Sequence, residues 1–244
     1  MLERILQNHG FTLDNVAGQW LTRCNDTNIQ MTMKNLPIIL VLLFIAGCQS
    51  AYYGALEKVG IHKRDVLVSR VEKANDSQQE AKEQFQSALE KFQAAVQFDG
   101  GEIEEIYSNL QSEYDESKAL ADEIRQRVED IESVSEALFN EWEEELQQYT
   151  SRSLRQKSAS QLTQTKQQYR KLITAMKKAE SSMTPVLNVF KDQVLYLKHN
   201  LNAKAIASLK QELAGVQSNV SRLMTQMNAS IAEADRFIKS MNDN

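Results

Sequence analysis

Apolar side chains recur at alternating steps of four and three along most of this chain, and that spacing limits what it can fold into. Leu67, Val71, Ala74, Gln78, Ala81, Phe85, Ala88, Phe92 and Ala95 form one such stripe, interrupted only by Gln78. A second runs through Ile103, Tyr107, Leu110, Tyr114, Ser117, Ala121, Ile124, Val128, Ile131, Ser135, Leu138 and Trp142. A third includes Leu154, Leu162, Thr165, Tyr169, Leu172, Met176, Met183, Leu187, Phe190, Val194, Leu197 and Leu201. Ile206, Leu209, Leu213, Val216, Val220, Leu223, Met227, Ile231, Ala234, Phe237 and Met241 make a fourth. A period near 3.5 residues keeps one seam of a helix turned toward a partner helix. With only Gly 8 and Pro 2 in 244 residues, the chain lacks the turn-formers of a β-sandwich or α/β fold. The expected fold is therefore all-α: an elongated antiparallel up-down helical bundle, or coiled coil, of about four long helices.

Breaks between the stripes place the helices near 64–98, 102–149, 152–199 and 203–241 within a body spanning 64–241. Phe98-Asp99-Gly100-Gly101 reads as a stop, because glycine takes the left-handed cap conformation freely. Glu102, Glu104 and Glu105 suit the first turn of the next helix, where the helix dipole favours anions. Between 150 and 153 no Gly or Pro marks a turn, and Ser151 or Ser153 is the cap expected there. Pro185 is expected to kink or restart the third helix, with Thr184 as a cap in the second case. His199-Asn200-Leu201-Asn202 is the next expected turn.

Charge supports the same pairing. From Asp99 to Tyr149 there are 17 Asp/Glu and 3 Lys/Arg, whereas from Thr150 to Lys210 there are 12 Lys/Arg and 2 Asp/Glu. Folding the second helix onto the third sets the acidic block against the basic one. Exposed pairs contribute only a few tenths of a kcal/mol each, so charge selects partners while the apolar stripes supply the stability.

Residues 33–47 carry a different kind of signal. Met33-Lys34 is a short positive start, Leu36 to Gly47 is uncharged, and the small residues Ala46 and Gly47 precede Cys48. That is the layout of a secretory signal peptide. Twelve residues span about 18 Å as a helix, well short of a hydrocarbon core. The segment Ile45-Ala46-Gly47-Cys48 resembles the lipobox of bacterial lipoproteins, with Ile45 where Leu is commonest. The resemblance implies cleavage between Gly47 and Cys48, lipid attachment at Cys48, and a mature chain beginning there. Gln49, where an inner-membrane lipoprotein tends to carry Asp, implies an outer-membrane lipoprotein facing the periplasm. Residues 48–63 then form the lipid-anchored tether, in which Tyr52 and Tyr53 either sit at the headgroup level or pack on the bundle end. Residues 1–32 carry mixed charge and no apolar period; we read them as a non-structural upstream over-extension, with translation starting at Met31 or Met33.

No constellation for chemistry emerges. Gly54 and Gly60 have the wrong spacing for a P-loop, and Ile61 stands where its Lys would be. A carboxylate-bridged metal bundle needs Glu-x-x-His, and His9, His62 and His199 each lack an acid three residues earlier. Glu141 and Glu145 at one-turn spacing fit a solvated face, and Trp142 falls on the apolar stripe. Cys24 and Cys48 are the only cysteines, with no zinc spacing and no nucleophile paired to a His. No catalytic residue, metal or cofactor is therefore expected. A net charge of -5 and few aromatics argue against nucleic acid. Lys198, His199, Asn200 and Asn202 combine a cation with amides at a bend and are the expected contact site, although capping explains the Asn residues equally.

Tyr52-Tyr53-Gly54, Glu57 to Arg64, Phe98 to Gly101 and Asp192 to Asn202 carry a resemblance to an uncharacterised Gram-negative family of predicted lipoproteins, domain of unknown function 2959. The resemblance implies a lipoprotein with a helical body and no known activity. The expected function is a lipid-anchored envelope protein with a structural, spacer or protein-docking role, its partner an envelope protein or a second copy. The alternative is a module recognising an anionic lipid or cell-wall polymer through the basic segment 152–210.

Overall fold

A computed structural model describes residues 62–97 and 103–243, and every residue range within them is helix or short turn. Four helices follow one another: α1 (Lys63–Val96), α2 (Ile103–Glu145), α3 (Arg152–His199) and α4 (Ala203–Asn242). At 1.5 Å per residue they run from about 50 to 72 Å. α1 packs on α2, α2 on α3, α3 on α4, and α4 closes back on α1. The bundle is thus a ring of four neighbours, with α1–α2 and α3–α4 on opposite sides.

The heptad spacing explains which side of each helix is inside. All nine residues of the first stripe are buried in α1, Gln78 included. In α2 the interior row runs from Leu110 through Ser117, Ala121, Ile124, Val128, Ile131 and Ser135 to Leu138. In α3 the row keeps step more strictly than the apolar residues alone suggested. Ala179 and Val186 are buried, whereas Leu187 is half-buried and Leu154 is 55% exposed. Leu201, 42% exposed, lies in the α3–α4 turn rather than in the core. The core of α4 includes Leu209, Val216, Val220, Leu223, Met227, Ala234 and Phe237.

Register is set by polar contacts beside the core. Lys63, Arg70, Ser77 and Gln84, seven residues apart, each donate a hydrogen bond to an acidic residue of α2: Glu141, Asp130, Glu123 and Glu113. The numbers rise on α1 and fall on α2, so the two helices are antiparallel. Between α2 and α3, Glu143 meets Lys166 and Glu132 meets Lys177, each at 2.5 Å. Phe139, Tyr169 and Phe237 form an edge-to-face chain linking α2, α3 and α4, at centroid distances of 5.3 and 6.5 Å. Near the other end Phe92 of α1 stacks on Phe190 of α3 at 5.9 Å.

The turns follow local chemistry. α2 ends at Glu145, a turn earlier than the expected end at 149, and residues 146–148 form the turn. Ser151 caps α3, its hydroxyl accepting from the Leu154 N–H. Asn202 caps α4, accepting from the Lys204 N–H. Pro185 does not divide the third helix, which is one element from Arg152 to His199. Pro185 and Ser181 are both exposed, so the carbonyl that loses its donor faces the solvent side of the helix. The glycine stop at residues 98–101 lies outside the described residues.

Candidate functional site

Cys48 and Gly47, the expected lipid attachment and cleavage site, lie outside the described residues, as do Tyr52 and Tyr53. Among the described residues no helix is long and apolar enough to cross a membrane. No group of three or more His, Cys, Asp or Glu side chains there could hold a metal ion.

The bend formed by Lys198, His199, Asn200 and Asn202 is present, and its parts do different things. Asn202 is the α4 cap, and the Asn200 side chain donates to the Tyr196 carbonyl at 2.9 Å. Both amides are therefore engaged by their own backbone. Lys198 and His199 are exposed at the C-terminal turn of α3, where the Lys198 ammonium is favoured by the helix dipole's negative end. Leu195, Tyr196 and Leu201 are also exposed there. Sequence periodicity missed that apolar surface because Leu201 had been placed on the core stripe.

The charged blocks meet only in part. Glu143 and Glu132 pair with the basic helix as their charges suggested, but Arg125 of α2 pairs in the reverse sense with Glu180 of α3. Other acids of α2 turn to α1 instead, where Glu141 meets Lys63 and Asp130 meets Arg70. Within α2, Asp122 is held below the usual carboxylate range, first by its hydrogen bond from Lys118. Glu123 is lowered too, first by Arg127 and then by Ser77. The Lys177 ammonium is raised by its hydrogen bond to Glu132.

What these contacts leave over is arranged by side. Arg170, Lys171 and Lys178 line an open groove between α3 and α4, with Thr174 and Gln226 between them. On the opposite side Glu80, Glu83 and Glu116 line a second open groove, between α1 and α2. The sequence showed a basic block but not that part of it faces away from the acidic helix. That depends on which heptad position each Lys occupies relative to its neighbours.

The arrangement defines a class: an antiparallel four-helix bundle whose recognisable features are its charged faces. The chain belongs to the family described as protein of unknown function (DUF2959), whose model matches residues 52–241. No curated protein and no solved structure matches it.

Proposed function

We propose that this protein is a lipid-anchored component of the cell envelope, held by Cys48 in the outer membrane and facing the periplasm. Its role is structural: the bundle acts as a spacer or a docking body for a partner protein. The observation that carries the reading is the order of signals at 33–48, a positive start, an uncharged apolar run, small residues and then Cys. Fourteen residues separate Cys48 from Lys63, enough for a tether between a lipid and a helical body. The continuous core supports a structural role, since the interior is filled by side chains and the open grooves are lined by charge. Acyl chains at one Cys provide the anchoring that a single chain does not.

The test is fractionation of cells expressing the chain or its Cys48→Ala variant. The wild type is expected in the outer-membrane fraction and to require detergent for release. The variant is expected to lose that association. Equal outer-membrane association in both would remove Cys48 as the anchor.

A further inference from the structure

We propose that copies of this bundle associate side by side, the basic α3–α4 face of one seated on the acidic α1–α2 face of the next. Three observations on the described residues lead there.

The first is the split of charge between the two sides. α1 and α2 together carry 21 acidic and 9 basic side chains, and α3 and α4 together carry 5 acidic and 15 basic. The second is that the two halves lie on opposite sides of a closed ring of helices. Only three ion pairs cross the α2–α3 seam, Lys166–Glu143, Lys177–Glu132 and Arg125–Glu180. Most of the imbalance therefore remains on the outer faces. The third is that each face has a groove with charge of one sign at its rim. Arg170, Lys171 and Lys178 are exposed on one, and Glu80, Glu83 and Glu116 on the other. The acid in the basic groove, Glu233, already pairs with Arg236.

The occupant best matched to the basic face is thus carried by the chain itself. A polyanion would satisfy Arg170, Lys171 and Lys178 but would leave the acidic face unexplained; a second copy satisfies both. Because the faces are opposite, the contact is heterologous, and each added copy presents a fresh face of each sign. The grooves also differ in height. Lys166–Glu143 and Lys177–Glu132 set the basic groove beside residues 132–143 of α2, whereas the acidic one includes Glu116. Groove-to-groove seating therefore shifts neighbours by roughly 30 Å along the bundle axis. Such an interface is electrostatic and weakens with salt. It gives the docking role a partner, yet it stands on the bundle alone and not on the anchor.

The experiment is sedimentation equilibrium of the full chain carrying Cys48→Ala, in a nonionic detergent that masks the apolar segment 36–47. Loss of the lipid removes any dependence on anchoring. The wild-type surface is expected to give protein masses above the 27.8 kDa of one chain at low salt, reverting to one chain at high salt. Lys171→Glu with Lys178→Glu makes both faces acidic and is expected to abolish association. Glu80→Lys with Glu83→Lys makes both basic and is expected to do the same. All four substitutions together exchange the faces and are expected to restore it, as is mixing the two single-face variants. All four positions are exposed, and circular dichroism confirms that each variant is folded. A single-chain mass at every salt concentration would overturn the proposal, and so would association indifferent to the swaps. Dextran sulfate serves as a separate probe. A chain that stays single, binds it, and loses it on Lys171→Glu with Lys178→Glu would assign the basic groove to a polyanion instead.

Discussion

Lys63 Nζ donates to Glu141 Oε1 at 2.8 Å, joining the first residue of α1 to the last turn of α2 across 78 positions of sequence. Only 11% of the Lys63 side chain is exposed, so the pair is better shielded than the bridges within α2. Lys63→Ala should lower stability by about 0.5–1 kcal/mol, the upper part of the range for partly exposed pairs. Thermal unfolding followed by circular dichroism measures it. Raising the salt concentration should shrink the difference between variant and wild type.

Gln78 lies on the core row of α1, fully buried, with both side-chain polar atoms lacking a hydrogen-bond partner. An unsatisfied buried amide costs on the order of 1–3 kcal/mol. Gln78→Leu keeps a similar volume and should raise stability within that range, read from urea unfolding. A buried polar residue on a seam can also fix register. Fluorescence energy transfer between labels on α1 and α2 should therefore broaden in the variant.

The aromatic chain Phe139–Tyr169–Phe237 ties three helices together, and Phe237 is 1% exposed. Phe237→Ala should cost about 3–5 kcal/mol through lost burial and the cavity left behind. Leu154→Ala, at a site 55% exposed, should cost under about 0.5 kcal/mol. The contrast separates core from surface on a chain where both positions looked like core from spacing.

The fold was legible because a 4-3 spacing determines which side of a helix is dry, and α1 follows it at every step from Leu67 to Ala95. Apolar spacing misplaced two residues for a physical reason, and of the two outcomes open at Pro185 the helix does not restart. Leu154 and Leu201 are apolar and near the right phase, but each lies at a helix end where partners run out. Pro185 removes one hydrogen bond from a helix of 48 residues, and tertiary packing of Met183, Val186 and Phe190 holds the element through it. For the candidate site, the amounts of charge were legible while their directions were not. Lys166 and Lys177 turn toward α2, and Lys171 and Lys178 line the groove beside α4.

Pro185 and Gly215 both sit inside helices; Pro185 is exposed, and a Cβ at Gly215 would meet nothing within 4 Å. Gly215→Ala should stabilise by about 0.5–1 kcal/mol. Pro185→Ala should stabilise by up to about 3 kcal/mol. Denaturant midpoints of the two variants and their double test both values, and the distant sites should be additive.

Tyr169 has its phenol pushed above the ordinary value of 10.0, chiefly by burial, with the Ser135 hydroxyl acting against the shift. The folded form thus holds the phenolic proton more tightly than the unfolded chain. Its contribution is intact below about pH 10 and is lost as pH rises toward the folded value. Asp122 and Glu123 have the opposite sign: lowered by Lys118 and Arg127, they support the fold above the usual carboxylate range and cease to as pH falls. Above pH 10 the wild type should lose stability faster than Tyr169→Phe, measured by urea unfolding across the alkaline range.

The anchor is the centre of the account, and intact mass spectrometry of the chain recovered from native membranes tests it most directly. The account predicts a chain that begins at Cys48 and carries the added mass of a diacylglycerol group and an N-terminal acyl chain. A chain that begins at or before Met33 with Cys48 unmodified would contradict it.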